Sequence, residues 1–344
     1  MSGGCWRVAL LTFLAGSLHA GPLTPLTALT DKSFGVLLLG DGGDKDWKDA
    51  LAAFTKKLSP QFPLAFAPGE ADAKAIQKAV DRLQAARVKK LVVVPLYVTS
   101  DSPLMDETRF LFGIRKDPSP EFFRAEGAVS GYAIVRRVQT KVPVVLTQAL
   151  DDHPLVVEVL TSRALSLSRH ASDEALVVVG LAPVAGPVNG ESLGRTPAAK
   201  PATAEDEYRQ TLSALAERVR AKGGFKTGHA AVLQPQALHQ SERERHEGDL
   251  RKLVRELSRS QRVLVVPHAV TGEIASRTIL RALQGTFMRY TQKGLLPDDR
   301  IVRWVEETAR QGATLPDMKV FKDAGRPLPA AGKFMRGKFP RSFP

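Results

Sequence analysis

Two short apolar runs, Leu91-Val-Val-Val-Pro-Leu96 and Val263-Leu-Val-Val-Pro267, constrain the fold of this 344-residue chain more than any other feature. Five or six apolar residues bounded by polar ones have the length of a strand buried on both faces. Each run follows a basic stretch, Lys89-Lys90 in the first case and Arg259 with Arg262 in the second, and each stands in a matching series. Ahead of the first come Phe34 to Leu39, which breaks into Gly40-Asp41-Gly42-Gly43, and a second strand over Phe62 to Ala67. Leu51, Phe54 and Leu58, then Ile76, Ala79, Val80 and Leu83, recur at helical spacing between the strands. A helix is expected from near Pro103 to Gly113, a fourth strand over Val144 to Leu146, and another helix opening near His153. The order recurs as a strand at Ala175 to Val179, a helix through Leu212 to Val219, a strand at Ala230 to Leu233, a helix at Leu250 to Leu257, and the second run. Apolar strands alternating with amphipathic helices predict parallel sheets covered on both faces. The recurrence predicts a duplication, with one repeat over residues 31–171 and the other over 172–312.

The ends of the chain read differently. Arg7 precedes an apolar run from Val8 to Leu18, and His19-Ala20 then offers a small-residue cleavage site. As a helix that run reaches about 16 Å against a hydrocarbon core of about 30 Å. Residues 1–20 are therefore expected to be a signal peptide, which makes the product extracytoplasmic, with no transmembrane span after leader removal. The single cysteine, Cys5, leaves with such a leader, so disulfide frameworks and thiolate metal sites are excluded. Hydrophobic residues at 43% and charged residues at 25% fit a globular protein. The formal charge of +13 admits a phosphate or nucleic-acid partner. However, seven Lys or Arg residues lie between Leu315 and Pro344 among Pro and Gly, so residues 313–344 are expected to form a basic disordered tail. No nucleic-acid partner is expected. The stretch from Pro183 to Ala204, rich in Pro, Gly and Ala, reads as a surface insertion.

Four segments carry a family resemblance: the apolar strand ending in Gly40-Asp41-Gly42-Gly43, Ala75-Ile-Gln-Lys-Ala-Val-Asp-Arg-Leu83, Leu91 through Ser102, and Leu150-Asp-Asp-His-Pro-Leu155. Together they resemble the class II tetrapyrrole chelatases, specifically the sirohydrochlorin cobaltochelatase family, over about Phe34 to Ala309. The resemblance implies duplicated, doubly wound parallel-sheet lobes with a cleft between them. It also implies a lyase of the metal chelatase type, which inserts a divalent metal ion such as cobalt or nickel into a tetrapyrrole without a nucleotide. In that family a histidine after the first strand, another after the third and a glutamate after the second hold the incoming ion. Here both histidine positions are aspartates, Asp41 and Asp101, and the glutamate corresponds to Glu70. In the second repeat the corresponding position is Leu181.

These replacements change the chemistry. A carboxylate with a pKa of about 3.9 is a weaker proton acceptor than an imidazole at about 6.5, by about 3.5 kcal/mol. Imidazole suits cobalt and nickel, whereas an all-carboxylate set suits Mg, Ca or Mn. Three readings stand: an enzyme inserting metal through Asp41, Glu70 and Asp101, a non-catalytic protein binding a tetrapyrrole or a free divalent metal, and an interaction protein with a decayed site. Asp41 and Asp101 also suit helix N-caps. His153 reads as a helix-start residue. His268, at a strand end with Thr271 and Glu273 nearby, is a further candidate ligand, while His239 and His246 read as solvated. Gly40-Asp41-Gly42-Gly43 lacks the Lys-Ser/Thr pair and the glycine spacing of nucleotide-binding loops.

Overall fold

The computed structural model describes residues 33–40, 45–58, 61–68, 72–116, 137–182, 204–235 and 240–321. The first half contributes β1 (Gly35–Gly40), α1 (Lys45–Leu58), β2 (Leu64–Pro68), α2 (Ala73–Ala85), β3 (Leu91–Pro95), α3 (Pro103–Leu111), β4 (Val144–Leu146) and α4 (Pro154–Leu165). The second contributes β5 (Glu174–Leu181), α5 (Ala204–Gly223), β6 (Thr227–Leu233), α6 (Gln240–Leu257), β7 (Arg262–His268), α7 (Gly272–Ala282), β8 (Arg289–Tyr290) and α8 (Asp299–Thr314). The strands form two four-stranded sheets in the orders β2-β1-β3-β4 and β6-β5-β7-β8. Every pairing is parallel. The expected α/β architecture of two parallel-sheet lobes is what the chain forms.

The two sheets have matching registers. Leu39 pairs with Pro95 in the first sheet and Val179 with Pro267 in the second. Pro95 and Pro267 therefore occupy equivalent positions, as do Gly40 and Gly180. The central strands are buried on both faces, which is why they read as continuous apolar runs. Alternate residues divide between two layers. Leu37, Leu39, Leu91 and Val93 pack under α2 and α3, and Val177, Val179, Val263 and Val265 pack under α6 and α7. The opposite set, Val36, Leu38, Val92 and Val94 with Leu176, Val178, Leu264 and Val266, belongs to one continuous core shared by both sheets.

That shared core arises because the last helix of each half covers the other half's sheet. Helix α4, which follows β4, packs against α5 and β7, while α8, which follows β8, packs against β3, β4 and α1. Gly312 lets α8 approach closely: a Cβ there would sit 2.6 Å from Val92 Cγ1. The two exchanged helices also touch, with Arg163 of α4 pairing at 3.3 Å with Asp298, the N-cap of α8. Arg300 Nη1 donates to the Glu158 carbonyl at 2.8 Å. The chain does not leave the fold at Gly312, where the tail was expected to begin. Met318 N donates to the Val144 carbonyl at 3.1 Å, Phe321 N donates to the Gly113 carbonyl at 2.7 Å, and Lys90 pairs with Asp317 at 3.0 Å. The packing of Met318 against the first sheet provides the physical reason. No helix among the described residues is long and apolar enough to cross a membrane. Residues 1–20, expected to be a leader, and the basic segment 322–344 lie outside the described residues.

Candidate functional site

In the first sheet the chain leaves β1 toward β2 on one side and later leaves β3 toward β4 on the other. The connections diverge between β1 and β3, and ligands of open α/β sheets bind in the crevice outside the strand ends at such a point. The loops after β1 and β3 therefore define the candidate site. Asp41, in the first, and Glu70, after β2, lie outside the described residues. The capping carboxylate at the start of α2 is Asp72, which accepts from Lys74 N at 2.8 Å and Ala75 N at 3.2 Å.

The loop after β3 is held from several directions. Leu96 N donates to the Leu39 carbonyl at 2.7 Å, and Leu150 N to the Tyr97 carbonyl at 3.0 Å. Thr99 is buried, its Oγ1 accepts from Asp101 N at 3.1 Å, and its carbonyl accepts from Ser102 Oγ at 3.3 Å. Ser100 N donates to Asp151 Oδ1 at 2.6 Å, and Ser100 Oγ donates to Asp151 Oδ2 at 2.7 Å. The same hydroxyl accepts from Ala149 N at 2.9 Å. Arg109 Nη2 donates to the Ser100 carbonyl at 3.4 Å, and Arg109 is itself paired with Asp106 at 2.8 Å.

Asp101 stands apart within this network. Its residue is exposed, and its carboxylate has no partner among the described residues. The expectation that Asp101 caps α3 is corrected: Ser102 is the N-cap, accepting from Met105 N at 3.2 Å, and Pro103 follows at the first helical position. Proline favours that position because it lacks the N–H that would go unsatisfied there, which places the cap one residue earlier, at Ser102.

The corresponding edge of the second lobe is built differently. Leu181 ends β5 and offers no ligand atom. His268 ends β7 and is 1% exposed. Its Nδ1 lies 3.0 Å from the Tyr208 hydroxyl of α5, and the rings stack with centroids 6.0 Å apart. Its Nε2 is buried without a partner among the described residues. Burial pushes the His268 imidazole down to about 4 and pushes the Tyr208 phenol up. Gly180 makes room for this pair, since a Cβ there would lie 2.3 Å from the Tyr208 hydroxyl. Of the residues grouped with His268, exposed Glu273 faces Arg277 at 3.7 Å, and Thr271 is the N-cap residue of α7 without a side-chain capping bond.

The remaining histidines sort by burial. His153 caps α4, its Nδ1 accepting from Leu155 N at 3.2 Å, and burial is the largest cause holding its imidazole below the ordinary value. His246 is buried at 4% exposure, contrary to the solvated reading, with Glu205 Oε1 3.7 Å from its Nε2. His239 lies outside the described residues. Among the described residues no group of three His, Cys, Asp or Glu side chains converges to hold a metal ion. Of the three carboxylates proposed from the sequence, Asp101 alone is described. Sequence reasoning missed Ser100, Asp151 and Tyr208. Two adjacent aspartates after an apolar strand were visible, but the return of Asp151 to a serine 51 residues earlier is a tertiary contact.

No protein-family model and no curated protein matches the sequence. Solved structures do. SirB from Bacillus subtilis with Fe3+ superimposes with a TM-score of 0.53 at 12% identity, covering 83% of this chain and 100% of that one. The sirohydrochlorin chelatase SirB from Bacillus subtilis subspecies spizizenii, in complex with cobalt, gives 0.51 at 12% identity with the same coverage. DR2241 from Deinococcus radiodurans, described as a multi-domain protein with structural similarity to chelatases, gives 0.43 at 14% identity over 84% of this chain and 57% of that one. The chain has the two-lobed α/β fold of the SirB chelatases.

Proposed function

We propose that this chain is a divergent class II chelatase-like protein that takes a divalent metal ion at the strand ends of its first lobe, through Asp41, Glu70 and Asp101, together with a tetrapyrrole. The observation that carries this reading is Asp101. In a loop whose neighbouring side chains are tied down by hydrogen bonds, its carboxylate is exposed and has no partner among the described residues, at a position where the resembling family keeps a metal-binding histidine. An exposed carboxylate at a switch-point crevice suits a hard divalent cation. The metal ion is here the cargo of the site.

Exchange of imidazole for carboxylate shifts preference from cobalt and nickel toward Mg, Ca or Mn, and removes the better base for the pyrrole protons. The buried His268–Tyr208 pair at the strand end of the second lobe supports assigning the proposed site to the first lobe. Binding is therefore the primary activity proposed, with insertion into sirohydrochlorin slower than in a histidine-bearing chelatase. The signal-like leader supports an extracytoplasmic location for this activity.

Calorimetric titration of the purified chain with Mn2+, Ca2+, Co2+ and Ni2+ tests the reading. The wild-type protein is expected to bind at least one of these ions. Asp41→Ala combined with Asp101→Ala is expected to weaken that binding by about 100-fold, equivalent to about 3 kcal/mol at 1.4 kcal/mol per tenfold. Unchanged binding in the double variant removes the proposed site. Metal insertion gained only with Asp41→His plus Asp101→His identifies a site that retains the fold and has lost the chemistry.

A further inference from the structure

We infer that Asp151 is a positioning residue for the Asp101 carboxylate, and that it sets the conformation of the metal-binding loop from the segment where the chain crosses between the lobes. The inference rests on the reading of Asp101 as a ligand.

Asp151 uses both carboxylate oxygens on one residue. Oδ1 accepts from Ser100 N at 2.6 Å and Oδ2 from Ser100 Oγ at 2.7 Å. Hydrogen bonds to an ionised acceptor are shorter and stronger than neutral ones, and two to the same residue fix its orientation as well as its distance. Ser100 immediately precedes Asp101, so fixing its amide and hydroxyl fixes the backbone from which the Asp101 side chain departs. The Asp101 amide is itself committed to Thr99 Oγ1 at 3.1 Å. The loop is thus ordered around the Asp101 carboxylate, which has no partner among the described residues.

The backbone of Asp151 points the same way. Its φ of +44° lies in the left-handed region, which non-glycine residues enter at a cost and which Asn and Asp tolerate best. This turn directs the carboxylate back toward β3 while the next residues enter the other lobe. Asp152 Oδ2 accepts from Arg218 Nη1 of α5 at 2.7 Å, and His153 caps α4, which packs on β7. Consecutive residues therefore bond the site loop of the first lobe and a helix of the second.

The fit to a metal-site outer shell is chemical as well as geometric. Partners that orient a ligand are typically worth about 10–100-fold in metal affinity when removed. Asp151→Gly keeps the left-handed turn and deletes the carboxylate, and Ser100→Ala deletes one of the two bonds while leaving Asp151 in place. The test measures Mn2+ and Co2+ affinity of the full chain for these variants, for Asp101→Asn, and for Asp101→Asn combined with Asp151→Gly. Amide hydrogen exchange at Ser100 and Asp101 is followed alongside. Asp151→Gly is expected to lose about tenfold or more in affinity and to speed exchange in the loop. Ser100→Ala is expected to lose less, and the double variant to lose no more than Asp101→Asn alone. That non-additivity is the outcome a purely structural role does not produce. Wild-type affinity in both Asp151→Gly and Ser100→Ala, with binding lost in Asp101→Asn, overturns the positioning role and leaves the site standing. Wild-type affinity in Asp101→Asn overturns the site itself.

Discussion

His268 stands where the first lobe has an aliphatic residue. The matched Pro95 and Pro267 place it at the position of Leu96 in the first lobe, a fully buried aliphatic residue. An imidazole there has one nitrogen on Tyr208 and the other without a partner among the described residues. The neutral ring is tolerated and the charged ring is not, so its folded pKa of about 4 lies below the unfolded value of about 6.5. Between those values the unfolded chain binds more protons. The contribution of His268 is fully present above about pH 6.5, declines as the pH falls, and is gone below about pH 4, amounting to about 3 kcal/mol. His229 and His153, also lowered chiefly by burial, act with the same sign. Replacing His268→Leu alone leaves the Tyr208 hydroxyl buried and unsatisfied, at a cost of about 1–3 kcal/mol. Adding Tyr208→Phe removes both polar groups. The double variant is expected to melt above the single one and to lose much of its acid sensitivity between pH 6.5 and 4, read by thermal unfolding across that range. Equal acid sensitivity in wild type and double variant contradicts this assignment. At this scale the sequence disclosed His268 as a strand-end histidine but not its partner, because Tyr208 lies 60 residues earlier on a helix whose face is set by packing. Pro103 marks the first helical position and so points to Ser102 as the cap, but Asp101 and Ser102, both favoured cap residues, stand side by side and Asp101 was read instead.

The elements themselves were largely legible as far as β7, because strands buried on both faces appear as unbroken apolar runs, and α2 keeps a clean stripe of Ile76, Ala79, Val80 and Leu83. Three elements beyond β7 were not read. Strand β8 is two residues long, too short for a period, while α7 and α8 follow the last recognisable strand. The exchange of α4 and α8 is of a different order. An amphipathic helix specifies an apolar face, not the sheet that the face covers, and Ile301, Trp304, Val305 and Ala309 would serve either lobe. The exchange is secured where the two helices meet. Although burial pushes the Asp298 carboxyl up, the hydrogen bonds and charges of Arg300 and Arg163 hold it below the ordinary range. The consequence concerns independence. A fragment spanning residues 31–171 keeps its first sheet but lacks α8, and it carries α4 with no second sheet to cover. Such a fragment is expected to show poor amide dispersion and no cooperative unfolding transition, whereas the whole chain melts in one. A fragment that folds as a stable monomer contradicts the shared-core account.

For the molecule as a whole, the formal charge of +13 is a poor guide to function. Six basic residues with one Asp lie between 322 and 344, outside the described fold, so part of the excess belongs to that segment and not to the strand ends. The charges that bear on the proposed function are acidic. Asp101 is exposed at the switch point of the first sheet, and Asp151 holds its loop from the interlobe crossover. The fold is that of chelatases, and the proposed chemistry is that of a carboxylate cation site occupying the place of an imidazole one. The most direct test is a crystal structure of the full chain soaked in Mn2+ or Co2+, with the ion located by anomalous scattering. The account predicts a single ion in the first lobe with carboxylate oxygens of Asp41, Glu70 and Asp101 within about 2.0–2.6 Å. An ion bound elsewhere with these three carboxylates apart, or no ion at saturating concentration, contradicts it.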